Sequence, residues 1–400
     1  MPYPNRKGYW YVCISFALIA CTSRTVAQEG APLEVHRIRG TTMGMAFQCQ
    51  IADAIDPSHL ESIHQETAAE LERLEAIFSL YRPESALSRW NACSSTDWNS
   101  VPSEVIQLLD FALVLHHKTS GKFDPTIAPL MRVWRVGSLA QDWHPPTQAE
   151  IGAAKNLVGI SRLEWRASPP QLRKNHPAME LDLNALVEGL ALRNLERILD
   201  QHGVSNYLLH LGGEFYARGN HPNRGDWTVL LEDPEGPGGN DLTHDSKYAI
   251  SLRDESISTS GSYRIGKEYE GRHHSHFIDP GTGDTVQNRN RSVSVVSKDP
   301  LEADGWATAL MLLEPEQAIE LANERNLIAC WATQDGWQFS QAAIRQSTFQ
   351  SLSEHASQPP RPSPQKIAPN SWRWLQSVWL LCLGVLLAAK LWHILRGARS

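Results

Sequence analysis

Asp304 and Thr308 stand four residues apart in the run Ala303-Asp304-Gly305-Trp306-Ala307-Thr308. On a helix that spacing turns a carboxylate and a hydroxyl to the same side, where a hard cation can take both oxygens. All-oxygen donors suit Mg²⁺ or Ca²⁺ far better than zinc. Thr259-Ser260-Gly261 and Gly212-Gly213 supply main chain of the kind that phosphates approach closely. Further unusual stretches are Thr42-Met43-Gly44, Tyr81-Arg82-Pro83-Glu84-Ser85 leading to Asn91, and Gly121-Lys122-Phe123-Asp124-Pro125-Thr126. The set is completed by Asp182-Leu183-Asn184-Ala185-Leu186-Val187-Glu188-Gly189, by Leu211 and Glu214 around the Gly pair, and by His276-Phe277-Ile278-Asp279-Pro280 with Thr282-Gly283.

Each stretch also has a purely structural account. Asp-Pro-Gly-Thr-Gly is a plausible turn, and Gly212-Gly213 can simply end a strand. Asp304 near a helix start is favoured by the dipole and by capping, whatever its function. A His-rich turn at His273, His274 and His276 can be merely solvated. The combination is what points to chemistry. No GxGxxG and no Walker loop occurs, which disfavours the ordinary dinucleotide folds.

The elements that must position these residues follow from periodicity. Met45 to Ile51 alternates as a strand. Leu60 to Phe78 carries one apolar helical face, with Ser58 as the expected N-cap. Ser103 opens a second helix through Leu115, and a third runs from Ala185 to Gln201 with Gly203 as its stop. Strands are expected at Tyr207 to Leu211, Trp227 to Leu231, Ser292 to Ser297 and Leu327 to Ala332. A helix pair closes the body over Leu301 to Leu313 and Glu316 to Arg325. Without a regular βαβ rhythm, the class is α+β.

The 400 residues are 42% hydrophobic and 20% charged with a net charge of -7, enough apolar content for a core and no electrostatic footprint for nucleic acid. Cys49, Cys93 and Cys330 lie in the body, and no CxxC or other metal-type spacing occurs, so a zinc ribbon or redox dithiol is excluded. A disulfide between two body cysteines is open outside the cytoplasm, with the pair undetermined.

The ends read differently from the body. Arg6 and Lys7 precede an apolar stretch from Tyr9 to Ala20, as in a secretory signal peptide spanning residues 1–27. Leu18-Ile19-Ala20-Cys21 resembles a lipoprotein box, with cleavage after Thr25-Val26-Ala27 or a retained anchor as alternatives. Residues 353–370 hold five prolines and read as a semi-extended spacer. Residues 374–395 are long and apolar enough for a transmembrane helix, bounded by Trp372, Trp374, Trp379 and Trp392. Arg396 and Arg399 follow it, so the C-terminus is expected in the cytoplasm of a bacterial cell, with the body on the periplasmic side of the inner membrane.

Taken in order, the stretches between Met43 and Thr308 resemble the ApbE family of FAD:protein FMN transferases, over essentially the whole body (34–350). The resemblance implies an α+β fold of mixed, mainly antiparallel sheets with packed helices. It implies Mg²⁺, FAD as substrate, and transfer of FMN to a Thr or Ser hydroxyl of an acceptor flavoprotein, releasing AMP. That acceptor is expected in a membrane or periplasmic electron-transfer system. By position, Met43, Tyr81, Lys122, Phe123, Asp124, Asp182, Glu188 and Ile278 are implied to contact FAD. Ala185 through its carbonyl, Asp304, Ala307 and Thr308 are implied to hold the metal, and His276 matches the histidine proposed as general base. Many members carry Lys at Glu188, some carry a carboxylate at Ala307, and Arg193 stands where an acidic residue is common. Two other functions share such a site: FAD binding without transfer, and Mg²⁺-dependent FAD pyrophosphatase activity with water as the acceptor.

Overall fold

The computed structural model of the protein describes residues 35–135, 143–223, 225–234, 246–263 and 265–352. The expected signal peptide (1–27), the spacer (353–370) and the membrane helix (374–395) lie outside the described residues. Among those described, no helix is long and apolar enough to cross a membrane.

The chain opens with the hairpin β1 (His36–Thr42) and β2 (Met45–Ile51), then α1 (Pro57–Phe78), α2 (Ala86–Ala92), β3 (Asn99–Ser100) and α3 (Ser103–Lys118). Next come α4 (Ala128–Trp134), α5 (Gln148–Lys155), β4 (Leu163–Ala167), β5 (Pro170–Lys174) and α6 (Asn184–Gln201). The strands β6 (Tyr207–Leu211), β7 (Glu214–Arg218), β8 (Trp227–Glu232), β9 (Ser246–Leu252) and β10 (Glu255–Gly261) follow. A short hairpin, β11 (Gly266–Tyr269) and β12 (Arg272–Ser275), precedes β13 (Asn290–Ser297) and α7 (Pro300–Met311). The body ends with α8 (Pro315–Glu324), β14 (Ile328–Thr333), β15 (Gly336–Phe339), α9 (Gln341–Gln346) and β16 (Phe349–Ser351).

Eight strands form one sheet in the order β1-β2-β6-β7-β10-β13-β14-β15, and every pair in it is antiparallel. Two three-stranded sheets (β16-β9-β8 and β3-β5-β4) and the β11-β12 hairpin complete the strands. The architecture is α+β, with antiparallel pairing throughout the described residues. Helices α1, α3, α6 and α7 bury their apolar residues with the face of the large sheet that bears Phe47, Leu209, Val293 and Val295. A smaller cluster around Trp227, Ile250 and Ile257 fills the opposite face. A third gathers Leu130, Trp134, Trp143, Ile151, Ala154 and Ile278.

Two expectations shift in detail. Helix α1 begins earlier than Leu60, because Asp56 caps it by accepting from the Ser58 and His59 amides, each at 3.0 Å, with Pro57 at the first helical position. Ser58 is therefore inside the helix. Asp304 likewise sits beyond the first turn of α7, and Asp299 caps that helix by accepting from the Leu301 amide at 3.0 Å. Position within the dipole therefore gives no account of Asp304. Gly203 does end α6, at φ +71°, a left-handed conformation that suits glycine. Cys49, Cys93 and Cys330 are all free thiols.

Candidate active site

The core of the site is the crossing of α6 and α7, and two glycines permit it. A Cβ on Gly189 would lie 2.6 Å from the Pro300 carbonyl and 2.7 Å from Asp304 Cβ. A Cβ on Gly305 would meet Phe111 at 2.5 Å and Leu186 at 2.8 Å. At such a crossing, extra side-chain volume displaces backbone and not merely a neighbouring side chain.

The close approach fixes Asp304. Its Oδ2 accepts from the Gly189 amide at 2.8 Å. In a regular helix that amide points at the carbonyl of the residue four before it, which is Ala185. Ala185 thus stands one helical turn before the amide that holds Asp304. Thr308, one turn along α7, is half-buried, and its hydroxyl is 3.0 Å from Ser260 Oγ on β10. The methyl of Ala307 is fully buried, so its carbonyl is the one oxygen that residue has to offer. Among the described residues no three His, Cys, Asp or Glu side chains form a metal-binding group. A cation here would rely on main-chain and hydroxyl oxygens beside Asp304, a hard donor set that fits Mg²⁺.

Two more carboxylates face this crossing. Glu188 and Glu214 bring their carboxylates together beside Gly212. Gly212, at φ +61°, packs under both, and a Cβ there would collide with the Glu188 carboxylate. Burial, then the charge of Glu188, pushes Asp304 well above the usual carboxylate range. Burial, then Glu188 and in lesser part Asp304, does the same to Glu214. Burial also raises Glu188. Burial and mutual repulsion both favour the protonated forms in this cluster.

Loops at the rim bring other expected residues together. The β1–β2 turn places Met43 at φ +50°, and the Met43 amide donates to Glu75 Oε2 at 3.2 Å. Glu75 Oε1 in turn pairs with Arg82 at 3.0 Å, so Met43 and the Tyr81-Arg82 turn hang from one α1 carboxylate. Tyr81 is 89% exposed, an aromatic face held out on an ordered turn. Glu75 was not among the expected residues. Its i, i+3 and i+4 neighbours on α1 gave no sign of it, because Met43 lies far off in sequence and Arg82 lies beyond the end of the helix.

Asn91 clamps the approach to Asp182, giving Nδ2 to the Leu181 carbonyl at 2.9 Å and taking the Leu181 amide at 2.8 Å. Beneath it, buried Lys174 donates to the carbonyls of Trp90, Asn91 and Met179 and lies 4.6 Å above the Trp90 ring. Burial lowers the pKa of that ammonium. Asp182 itself accepts from the Asn184 amide at 2.9 Å, and burial raises its pKa.

Lys122 pairs with Asp279, which joins the Lys122-Phe123-Asp124 stretch to the segment carrying His276 and Ile278. Three expected contacts are spent largely within the protein. Asp124 accepts from the Thr126 amide and hydroxyl and from the Ile160 amide at 3.0 Å. Phe123 is 5% exposed in the main core. The Ile278 side chain is 3% exposed in the third cluster.

The three histidines separate cleanly. His274 is buried, bonded to Thr285 at 3.1 Å and stacked on Trp134. His273 is held between Glu268 at 2.6 Å and the Ser262 carbonyl at 3.1 Å. His276 is half-buried and makes one bond, from Nδ1 to the Ile265 carbonyl at 3.3 Å. A carbonyl can only accept, so Nδ1 carries the proton and Nε2 keeps its lone pair. Burial lowers the His276 pKa, with the Ile265 carbonyl opposing in smaller measure.

The antiparallel α+β frame thus carries a helix crossing with hard oxygen donors, an exposed aromatic at Tyr81, and an imidazole at His276 whose Nε2 makes no hydrogen bond within the protein. The sequence model of the ApbE family matches residues 43–331, and the chain belongs to that family. It is 31% identical to the FAD:protein FMN transferase of Salmonella typhimurium over 329 residues, 81% of this chain and 92% of that protein. Against the Escherichia coli FAD:protein FMN transferase the identity is 30%, covering 80% of this chain and 90% of the relative. Among solved structures, the flavin transferase ApbE from Vibrio cholerae superposes with a TM-score of 0.69 at 28% identity, covering 78% of this chain and 99% of that one. The apo flavinyl transferase ApbE of Pseudomonas stutzeri gives the same TM-score at 30% identity, covering 78% and 96%.

Proposed function

We propose that this chain is an FAD:protein FMN transferase that uses Mg²⁺ and acts on an extracytoplasmic electron-transfer protein. The observation that carries the reading is the hydrogen bond that seats Asp304 on the Gly189 amide, one helical turn beyond Ala185, inside a chain that belongs to the ApbE family across 43–331. Bound Mg²⁺ would neutralise charge on the pyrophosphate oxygens of FAD. Ala185, Asp304, Ala307 and Thr308 are the residues to hold it.

The remaining chemistry belongs to the protein. The acceptor Thr or Ser hydroxyl gives its proton to Nε2 of His276, which is neutral near pH 7 because burial holds its pKa down. The hydroxyl oxygen bonds to the phosphorus of the FMN half, the bridging P–O bond breaks, and AMP leaves. Tyr81 and Met43 position the flavin. Lys122 and Asp182 line the same approach. Export by residues 1–27 and anchorage by 374–395 would present the body on the periplasmic side of the inner membrane.

The test incubates the purified chain with FAD, Mg²⁺ and a candidate acceptor domain. Flavin fluorescence on the acceptor with release of AMP is expected. FMN and AMP without labelled protein would make the chain a pyrophosphatase, and retained FAD without turnover would make it a binding protein.

A further inference from the structure

The residues assigned to FAD and Mg²⁺ leave one concavity unexplained. A cavity of about 400 Å³ lies between the β11–β12 hairpin and the segment Val286 to Arg291. That volume is within the range of clefts that take a ligand or a short chain segment, and far too small for a folded domain. Neither the residues that resemblance ties to FAD nor those of the metal set line it. Its walls nevertheless come from segments that also carry residues of the proposed reaction centre. Ser275 and Phe277, the two neighbours of His276, form one wall. Met311 stands one turn beyond Thr308 on α7, and Ser262 lies two residues beyond Ser260.

The lining suits a polypeptide. Strand β12 pairs only with β11, so its outer edge is unpaired by any strand. The hairpin closes at Tyr269 and Arg272, which turns the main-chain groups of His273 and Ser275 away from β11. A side-chain amide already reads that edge, since Gln287 Nε2 donates to the His273 carbonyl at 3.0 Å. Val286 still pairs with Phe277 through its amide at 2.8 Å, and beyond it the two segments separate around the cavity. Asn290, 2% exposed, is among the lining residues, and its Oδ1, buried behind the cavity wall, lacks a hydrogen-bond partner among the described residues. A buried acceptor left open costs about 1–3 kcal/mol, and an amide N–H entering the cavity would satisfy it.

We propose that this groove docks the hydroxyl-bearing segment of the acceptor protein, as an extended chain added along the free edge of β12. The inference rests on the flavin-transferase reading and names where its second substrate enters. Strand addition gives main-chain hydrogen bonds and fixes the segment's register. It delivers the Thr or Ser hydroxyl past Ser275 to His276, while FAD approaches from the Tyr81 and Lys122 side.

Gln334, on the exposed β14–β15 turn, and Arg272, on the groove rim, can be changed without touching the core. The probe is a periplasmic redox-protein domain carrying one threonine hydroxyl, purified without flavin. With the full chain in detergent, Gln334→Trp and Arg272→Glu are each expected to raise KM for that domain by about tenfold. FAD affinity, read by flavin fluorescence, is expected within twofold of wild type. An unchanged acceptor KM in both variants overturns the proposal. So does a parallel loss of FAD affinity, which would assign the groove to the nucleotide. A wild-type chain that labels no acceptor overturns the parent reading, and this one with it.

Discussion

The α6–α7 crossing and the rim loops present their functional groups in opposite ways. At the crossing, Asp304 is 5% exposed and Glu214 6%, both packed where two helices touch through glycine. At the rim, Tyr81 is 89% exposed and His276 keeps a single protein partner. Groups at the crossing are costly to the fold when charged, because three carboxylates share a desolvated space. The rim groups cost the fold little, and their alignment depends on turns tied from beneath. The division assigns stability to one region and substrate recognition to the other.

Four changes would break or sharpen that division. Asp304→Ala is expected to abolish Mg²⁺-dependent transfer, a loss on the order of a hundredfold or more. Unchanged turnover would remove the crossing as the metal site. His276→Ala should slow transfer by roughly a hundredfold while sparing FAD affinity, as suits a general base. Wild-type rates would move that role elsewhere. Tyr81→Ala should weaken FAD binding by about tenfold, the scale of losing one stacking partner, and leave Tm unchanged because the side chain is exposed. A fall in Tm would show the rim to be structural after all.

The fourth is the smallest and concerns pH. The folded-state pKa values of Asp304, Glu188 and Glu214 are raised, so the folded chain binds these protons more tightly than the unfolded chain. Their contribution is fully present below the ordinary carboxylate pKa of about 4 and is lost as pH rises through the raised values. With metal chelated, Tm should therefore fall as pH rises above about 4 and through the raised values. Glu188→Gln removes the charge that both neighbours feel and should flatten that slope. A chelated wild-type chain with no slope would show that the crossing carries no such burden.

Much of the crossing was legible in the sequence, because helix periodicity is local. The spacing of Asp304 and Thr308 and the helix from Ala185 to Gln201 were both read from it, and both sit where those patterns place them. Strands β2 and β6 match the expected Met45 to Ile51 and Tyr207 to Leu211, where apolar alternation is strong. The polar hairpin Gly266–Tyr269 and Arg272–Ser275 has no apolar alternation to betray it and was missed. Residues joined across the chain were invisible for the same reason. Glu75 and the Met43 amide meet through tertiary packing, as do the carboxylates of Glu188 and Glu214 beside Gly212. Arg193, which departs from the family pattern, turns out to bind Asp299 through Nε at 2.8 Å, fastening α6 to the cap of α7.

Glu75 has a consequence for how fast the site can be filled. One carboxylate fixes both the Met43 amide and Arg82 from within the protein. Ordering of that rim is completed during folding, so the encounter with FAD carries no slow rearrangement of either turn. Association should follow a single exponential whose rate grows linearly with FAD concentration. Glu75→Gln, which weakens the hold on Arg82, should introduce a concentration-independent phase.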